Sequence, residues 1–176
     1  EMENAGIHTR VRAIQNSGDM LIGEWNPGSS KAPLLLIGHM DTVFAREENQ
    51  PFAVDGDRLT GSGVMDMKGG VLIMQAALAE VLPTMPKRMR VVAILSADEE
   101  IGSEGCSGVI TKWAKQAFAC LSFEPMRPGN TLVRQRKGVT AFQIACTGIR
   151  GHAGANYLKC ASAIQQLCAV VNELYM

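Results

Sequence analysis

The stretch Leu34 to Thr42 reads Leu-Leu-Leu-Ile-Gly-His-Met-Asp-Thr and decides the fold of the chain. Four consecutive aliphatic residues between Pro33 and Gly38 are typical of a strand buried on both faces, as found in mostly parallel sheets covered by helices. His39 and Asp41 follow where this strand ends, and residues two apart on a strand point to the same side. Both side chains therefore address the carboxyl edge of the sheet, where open α/β sheets bind ligands. The alternative is a polar strand end closed by an Asx turn.

The composition indicates a globular protein that binds small molecules. Of the 176 residues, 47% are hydrophobic and 19% are charged, which is enough apolar material for a real core. Lys plus Arg and Asp plus Glu number 17 each, so no basic field attracts nucleic acid or a membrane surface. No stretch approaches the roughly 20 apolar residues of a membrane span. The five cysteines, without CxxC spacing, favour a cytoplasmic protein with reduced thiols, and an exported mature form stays open.

Hydrophobic periodicity predicts the remaining elements of an α/β fold. Alternation predicts an edge strand over 7–14, joined to a strand over 20–25 by a hairpin turn at 16–19. Helices are predicted over 71–82 and 105–116, and further buried strands over 90–97 and 118–123. Because the chain starts directly before a strand pattern and stops inside a helical one, we expect it to be a fragment of a longer protein.

The glycine-rich stretch from Gly61 to Gly70 carries one acid, Asp66. Its Gly-x-Gly start suggests a dinucleotide site, but that fingerprint needs a third glycine where this chain has Asp66, and a carboxylate repels pyrophosphate. A carboxylate on such a loop suits a cation better. The alternative is that Asp66 caps the helix that follows.

Two more buried strands are followed directly by acids. Asp98-Glu99-Glu100 follows the strand over 90–97, and Glu124 follows the strand over 118–123. Three adjacent carboxylates repel one another and folding does not require them there, so we expect a bound cation, with a solvated acidic loop as the alternative.

If the three strands are neighbours, their acids meet His39 at one sheet edge. One imidazole among several carboxylates suits zinc, with manganese or cobalt as substitutes, and two such ions sharing a water perform hydrolysis.

Together these motifs resemble a known family, the two-zinc metallopeptidases of the aminoacylase and dipeptidase superfamily, and in particular the glutamate carboxypeptidases of the carboxypeptidase G type. The resemblance rests on His39-Met40-Asp41, Gly61 to Gly70, Asp98-Glu99-Glu100 and Ser122-Phe123-Glu124-Pro125. It implies hydrolysis of an amide bond by a metal-bridging water, which releases a C-terminal amino acid, glutamate first among the candidates, from a peptide or N-acyl amino acid.

The resemblance also implies a role for each site residue. His39 and Glu124 hold one zinc, Glu100 holds the other, and Asp66 bridges the two. Asp41 orients His39 and fixes its tautomer. Glu99 is the general base that moves a proton from the attacking water to the leaving amine.

Two domains follow from the same resemblance: an incomplete zinc-hydrolase domain over 1–137 and the beginning of an inserted α+β lid and dimerisation domain over 138–176. A strand over 139–146 and a helix over 161–175 are predicted there. The resemblance further implies that His152, in a His-Ala-Gly turn, reaches the active site of the partner subunit in a homodimer and stabilises the oxyanion. By the residues alone, the alternative is a turn residue without a chemical role.

One departure from the family pattern limits these expectations. The second zinc of the family is completed by a histidine far downstream, and His152 is the only histidine after His39. We therefore expect this chain alone to be poorly active, and the alternative function is an inactive fragment or binding module that retains the fold. With half of the lid missing, apolar helix positions such as Ile164, Leu167 and Val171 stay uncovered and favour association.

Overall fold

The computed structural model describes residues 2–129, 131–133, 135, 137–138, 140–152 and 154–175. It divides into two compact units, residues 1–132 and 133–176. The strands are β1 (His8–Arg12), β2 (Met20–Trp25), β3 (Leu34–His39), β4 (Ala53–Asp55), β5 (Arg58–Thr60), β6 (Val91–Ser96) and β7 (Ala119–Ser122). The α-helices are α1 (Gly69–Val81), α2 (Ser107–Ala114) and α3 (Ala163–Leu174). Only α3 among these elements lies in the second unit.

The first unit is built on a five-stranded sheet with the order β1-β2-β6-β3-β7. Strands β6 and β7 both pair with β3 in parallel, while β2 pairs antiparallel with β6 and with β1. Only β2 is reversed among these strands, so the sheet is mixed but runs mostly in one direction. The three strands that deliver acids are neighbours, which is the condition for their acids to meet at one edge, and His39 lies opposite Ser96 across β3 and β6.

Helices cover both faces of this sheet. Alternate residues of the fully buried strand β6 face opposite sides: Val91, Ala93 and Leu95 join the cluster that contains α1 residues, and Val92 and Ile94 join the one that contains α2 residues. Burial of an aliphatic side chain of this size contributes roughly 1.5–3 kcal/mol. The predicted α/β fold, with a sheet between helices, is therefore confirmed.

The two outer strands differ from the central ones in burial. The predicted hairpin is confirmed: β1 and β2 flank a turn in which Asn16 has a φ of 62°. The prediction that the strand over 118–123 is buried is wrong, because β7 pairs only with β3 among the described strands and its four residues are exposed. An edge strand lacks the second neighbour that would cover it.

The second unit contains the predicted helix, observed as α3 (Ala163–Leu174). Ser162 caps its N-terminus, where the hydroxyl oxygen accepts from the backbone N–H of Gln165 at 3.2 Å. The predicted strand over 139–146 is wrong for residues 140–146, which have no strand partner among the described residues, and Val139 lies outside the described residues. The predicted boundary between residues 137 and 138 stays a prediction.

None of the helices in the described part of the chain combines the length and apolar composition needed to cross a membrane.

Candidate metal centre

His39 ends β3 and lies at the centre of an acidic cluster. The residue is only 1% exposed. Its Nε2 lies 3.0 Å from Oδ1 of Asp66 and 3.7 Å from Oε1 of Glu124, and its Nδ1 lies 3.0 Å from the backbone oxygen of Asp41. If Nδ1 carries the proton, it donates to that carbonyl and leaves Nε2 with a free lone pair directed at the acids. This tautomer is the one in which His39 can act as a metal ligand.

Asp66 reaches His39 from the glycine-rich loop that precedes α1. Gly61 and Gly63 adopt φ values of 140° and 71°, a region that favours glycine. The backbone is kinked within the following segment (Val64–Lys68), where Asp66 is non-helical with a φ of −120° and a ψ of 99°, and the Asp66 side chain is 54% exposed. The alternative interpretation of Asp66 as a helix cap is not observed, because no side-chain hydrogen bond caps α1 in the described residues.

Met67 holds this loop against β3, a contact that was not predicted from the sequence. It is fully buried, and its Sδ accepts a hydrogen bond from the backbone N–H of His39 at 3.1 Å. A buried methionine beside a predicted ligand carries no sequence signal that separates it from any other core residue. It nevertheless ties together the two segments that carry His39 and Asp66.

Asp41 connects His39 to the acidic loop after β6. Its Oδ2 accepts from the backbone N–H of Glu100 at 2.9 Å, while its Oδ1 lies 3.4 Å from Nδ1 of His39. That Oδ1 atom is buried and has no hydrogen-bond partner among the described residues. Asp41 is therefore placed beside the cluster, between His39 and the loop that carries Glu100.

The acids crowd one another around the imidazole. One ligand atom each from His39, Asp66 and Glu100 lie within 4.8 Å of one another. Burial, then the nearby charge of Asp66, raises the pKa of Glu100. Burial likewise raises the pKa of Glu124, and the negative charge of Asp66 raises that pKa further.

The same negative charges also raise the pKa of the imidazole, where they favour the charged form. Burial by itself lowers the pKa of His39, but the hydrogen bond to Asp66 and the charge of Glu124 outweigh it and raise the pKa above 6.5. Imidazole nitrogen and carboxylate oxygens are the ligand set expected for zinc, and a cation would offset the repulsion between the acids. The residues present therefore fit a metal ion.

Folding does require the first of the three consecutive acids at 98–100, Asp98, contrary to the expectation from the sequence. It is 1% exposed, and its Oδ2 accepts from the backbone N–H groups of Gly105 and Cys106 in its own loop. Burial, and then the interaction of the Cys106 side chain with the Asp98 carboxylate, raise the pKa of the Cys106 thiol to about 11. The first of the three acids is thus structural.

The two remaining predicted residues lie in different units. Glu99 is exposed in the first unit, and its charge helps to raise the pKa values of Glu100 and Glu124. His152 lies exposed in the second unit, where its Nδ1 accepts from the backbone N–H groups of Gly154 and Ala155 at 3.2 and 3.3 Å. Its predicted role toward an oxyanion stays a prediction.

An α/β sheet with an imidazole and several carboxylates at its carboxyl edge is an arrangement that metal-dependent hydrolases use. Comparison with known proteins agrees, because the sequence profile of peptidase family M20/M25/M40 matches residues 35–172. The chain is 35% identical to carboxypeptidase G2 from a Pseudomonas species over 142 residues, which is 78% of this chain and 34% of that protein. It is 30% identical to succinyl-diaminopimelate desuccinylase from Gluconobacter oxydans over 158 residues, 84% of this chain and 41% of the relative. The chain therefore belongs to peptidase family M20/M25/M40.

Solved structures agree on the fold. Aminopeptidase PepT from Bacillus cereus superposes with a TM-score of 0.66 at 15% identity, covering 97% of this chain and 48% of that one. The M20 family metallo-carboxypeptidase Sso-CP2 from Sulfolobus solfataricus superposes with a TM-score of 0.58 at 21% identity, covering 73% and 31%. The chain spans less than half the length of the curated relatives and structures described above.

Proposed function

We propose that this chain supplies the metal-binding sheet edge of a hydrolase that cleaves an amide bond and releases a C-terminal amino acid, glutamate first among the candidates, from a peptide or N-acyl amino acid. The observation that carries the proposal is the convergence of His39, Asp66 and Glu100 within 4.8 Å, with Glu124 beside them. The names of the relatives, a carboxypeptidase and a desuccinylase, support this substrate class.

Each residue is assigned a role consistent with its position. His39 and Glu124 would hold one zinc ion and Glu100 a second, with Asp66 available to both, and manganese or cobalt could substitute for zinc. When bound, such ions polarise the scissile carbonyl and lower the pKa of a shared water. Asp41 keeps the imidazole in position, as an outer carboxylate does beside a ligating histidine.

Proton transfer is assigned to Glu99. It is exposed, so a substrate and a water molecule can reach it, and it lies close enough to Glu100 and Glu124 for its charge to affect both. We infer that it takes a proton from the attacking water and passes it to the leaving amine.

His152 is proposed to stabilise the oxyanion in the partner subunit of a homodimer. The odd number of cysteines supports a cytoplasmic compartment.

A second candidate function follows from the shortage of imidazoles. His39 is the one histidine at the cluster in the described part of the first unit, since His8 lies exposed on the edge strand β1. With a single imidazole, the site would hold one ion tightly and a second weakly. The chain would then be a metal-binding module without turnover.

The stoichiometry of tightly bound zinc in the purified 176-residue protein tests both candidates. We expect at least one ion per chain after dialysis, lost in His39→Ala and in Glu124→Gln. The matched controls are His8→Ala and Glu48→Gln, which remove an exposed imidazole and an exposed carboxylate. Two tight ions, with turnover of an N-acyl-glutamate, support the hydrolase, and one ion without turnover supports the module. Absence of zinc binding, even after titration, contradicts the proposed metal site.

A further inference from the structure

Asp98 closes the loop that carries two of the proposed site residues. It follows β6, and its Oδ2 accepts from the backbone N–H groups of Gly105 at 2.8 Å and Cys106 at 3.0 Å. Its backbone oxygen accepts from the N–H of Ser103 at 2.7 Å. One residue therefore joins the end of β6 to the residues that lead into α2, and it fixes the span of the loop between them.

The hydrogen bonds to the Asp98 carboxylate can fix the conformation of the loop backbone. Hydrogen bonds from backbone N–H groups to an ionised acceptor are shorter and stronger than neutral ones. Asp98 is 1% exposed, and its Oδ1 is buried without a hydrogen-bond partner among the described residues. Among the described residues, the group whose ligand atoms converge is His39, Asp66 and Glu100, and Asp98 does not belong to it.

Glu99 and Glu100 are the first residues inside this loop. The backbone oxygen of Glu99 accepts from Gly102 N–H at 3.0 Å, and the N–H of Glu100 donates to Oδ2 of Asp41 at 2.9 Å. The loop is thus held at two places. The Asp41 carboxylate binds its start at Glu100, and the Asp98 carboxylate binds its end at Gly105 and Cys106.

We propose that Asp98 is a positioning residue, whose bonds to Gly105 and Cys106 set the places of Glu99 and Glu100 at the metal cluster. This inference rests on the function proposed above. Asp98 acts through the loop backbone, so its loss should change the metal site of the folded protein and not only its stability. Residues that orient metal ligands from outside typically affect metal affinity about 10- to 100-fold.

Cobalt titration of the full chain, followed by visible absorption, provides the first test. In Asp98→Ala we expect a dissociation constant raised about 10-fold or more, with an altered Co²⁺ spectrum. Asp98→Asn keeps one acceptor oxygen without the charge, so it should be affected less. The matched control is Glu104→Ala, which removes an exposed carboxylate from the same loop and should bind Co²⁺ as the wild type does.

Native-state hydrogen exchange without metal provides the second test. We expect the amides of Glu100, Gly105 and Cys106 to lose protection in Asp98→Ala and to keep it in Glu104→Ala. Wild type that fails to bind Co²⁺ would contradict the proposed function, and the Glu100 amide would then decide on Asp98 by itself. A folded Asp98→Ala that keeps both Glu100 protection and Co²⁺ affinity overturns the inference. If Asp98→Ala does not fold, Asp98→Asn replaces it with a smaller expected loss, and the inference is overturned if both Glu100 protection and Co²⁺ affinity are unchanged in that variant.

Discussion

Glu24 is bonded to two arginines across the sheet. On β2, its Oε1 accepts from Nη1 of Arg10 and its Oε2 from Nη2 of Arg90, each at 2.6 Å. Arg90 in turn lies over the ring of Trp113, 5.2 Å from the ring centre. Burial by itself raises the pKa of Glu24, but the two arginines outweigh it and hold the pKa below 4.5. The folded protein thus favours the charged form of this acid.

This pairing predicts a stability that depends on pH. Because the folded pKa of Glu24 lies below the unfolded value, its contribution is complete above about pH 4.5 and is lost as the pH falls through the folded pKa. Glu24→Gln should lower the free energy of unfolding by about 1.5–3 kcal/mol at pH 7. Urea unfolding of both proteins at several pH values measures this difference, which should shrink below pH 4.5.

The exposed Glu48→Gln serves as the control for loss of a carboxylate, and it should unfold as the wild type does at every pH. A difference between Glu24→Gln and wild type that stays constant from neutral to acidic pH would contradict the assignment of the stability to the ionised Glu24.

At the scale of elements, the loop from Gly61 to Lys68 depends on the burial of Met67. This side chain is fully buried, and its sulfur bonds to the backbone of His39. Met67→Ala should leave a cavity and lower the free energy of unfolding by about 2–5 kcal/mol. It should also weaken zinc binding, because Asp66 is no longer held against β3. Met67→Leu keeps the volume and should cost less than about 1.5 kcal/mol.

Met65 offers the matched control, since it lies two residues earlier in the same loop and is 71% exposed. Denaturant unfolding and zinc titration of Met65→Ala should both match the wild type. If Met67→Ala proves as stable as Met65→Ala, the loop is held to β3 by other contacts.

The sequence predicted those elements whose pattern is local. Strands β3 and β6 are continuous apolar runs, and acids follow them directly, so both the fold and the cluster of His39 with Asp66, Glu100 and Glu124 could be inferred. The exposure of β7 could not be, because it depends on which strands surround it. The structural role of Asp98 could not be inferred for a related reason: its partners are the backbone N–H groups of Gly105 and Cys106, which every residue type except proline offers.

For the molecule as a whole, the site depends on long-range arrangement. His39 comes from the end of β3, Asp66 from the loop before α1, Glu100 from the loop after β6, and Glu124 from the residues after β7. These segments meet only because β3 lies between β6 and β7 in the sheet. A metal ion that joins them would therefore stabilise the folded first unit as a whole, by an amount set by its affinity and concentration.

The exposed apolar residues of α3, in the second unit, lead us to expect that chains associate in solution. Ile164, Leu167 and Val171 lie on one side of α3 by their helical spacing, and they are 77%, 38% and 40% exposed. An apolar stripe of this kind favours association between chains. Light scattering of the purified protein should show species larger than a monomer, and Leu167→Glu with Val171→Glu should shift them toward the monomer. Gln166→Glu and Asn172→Glu, which add the same charge at polar positions of α3, should not. A monodisperse monomer in the wild type would contradict association through this stripe.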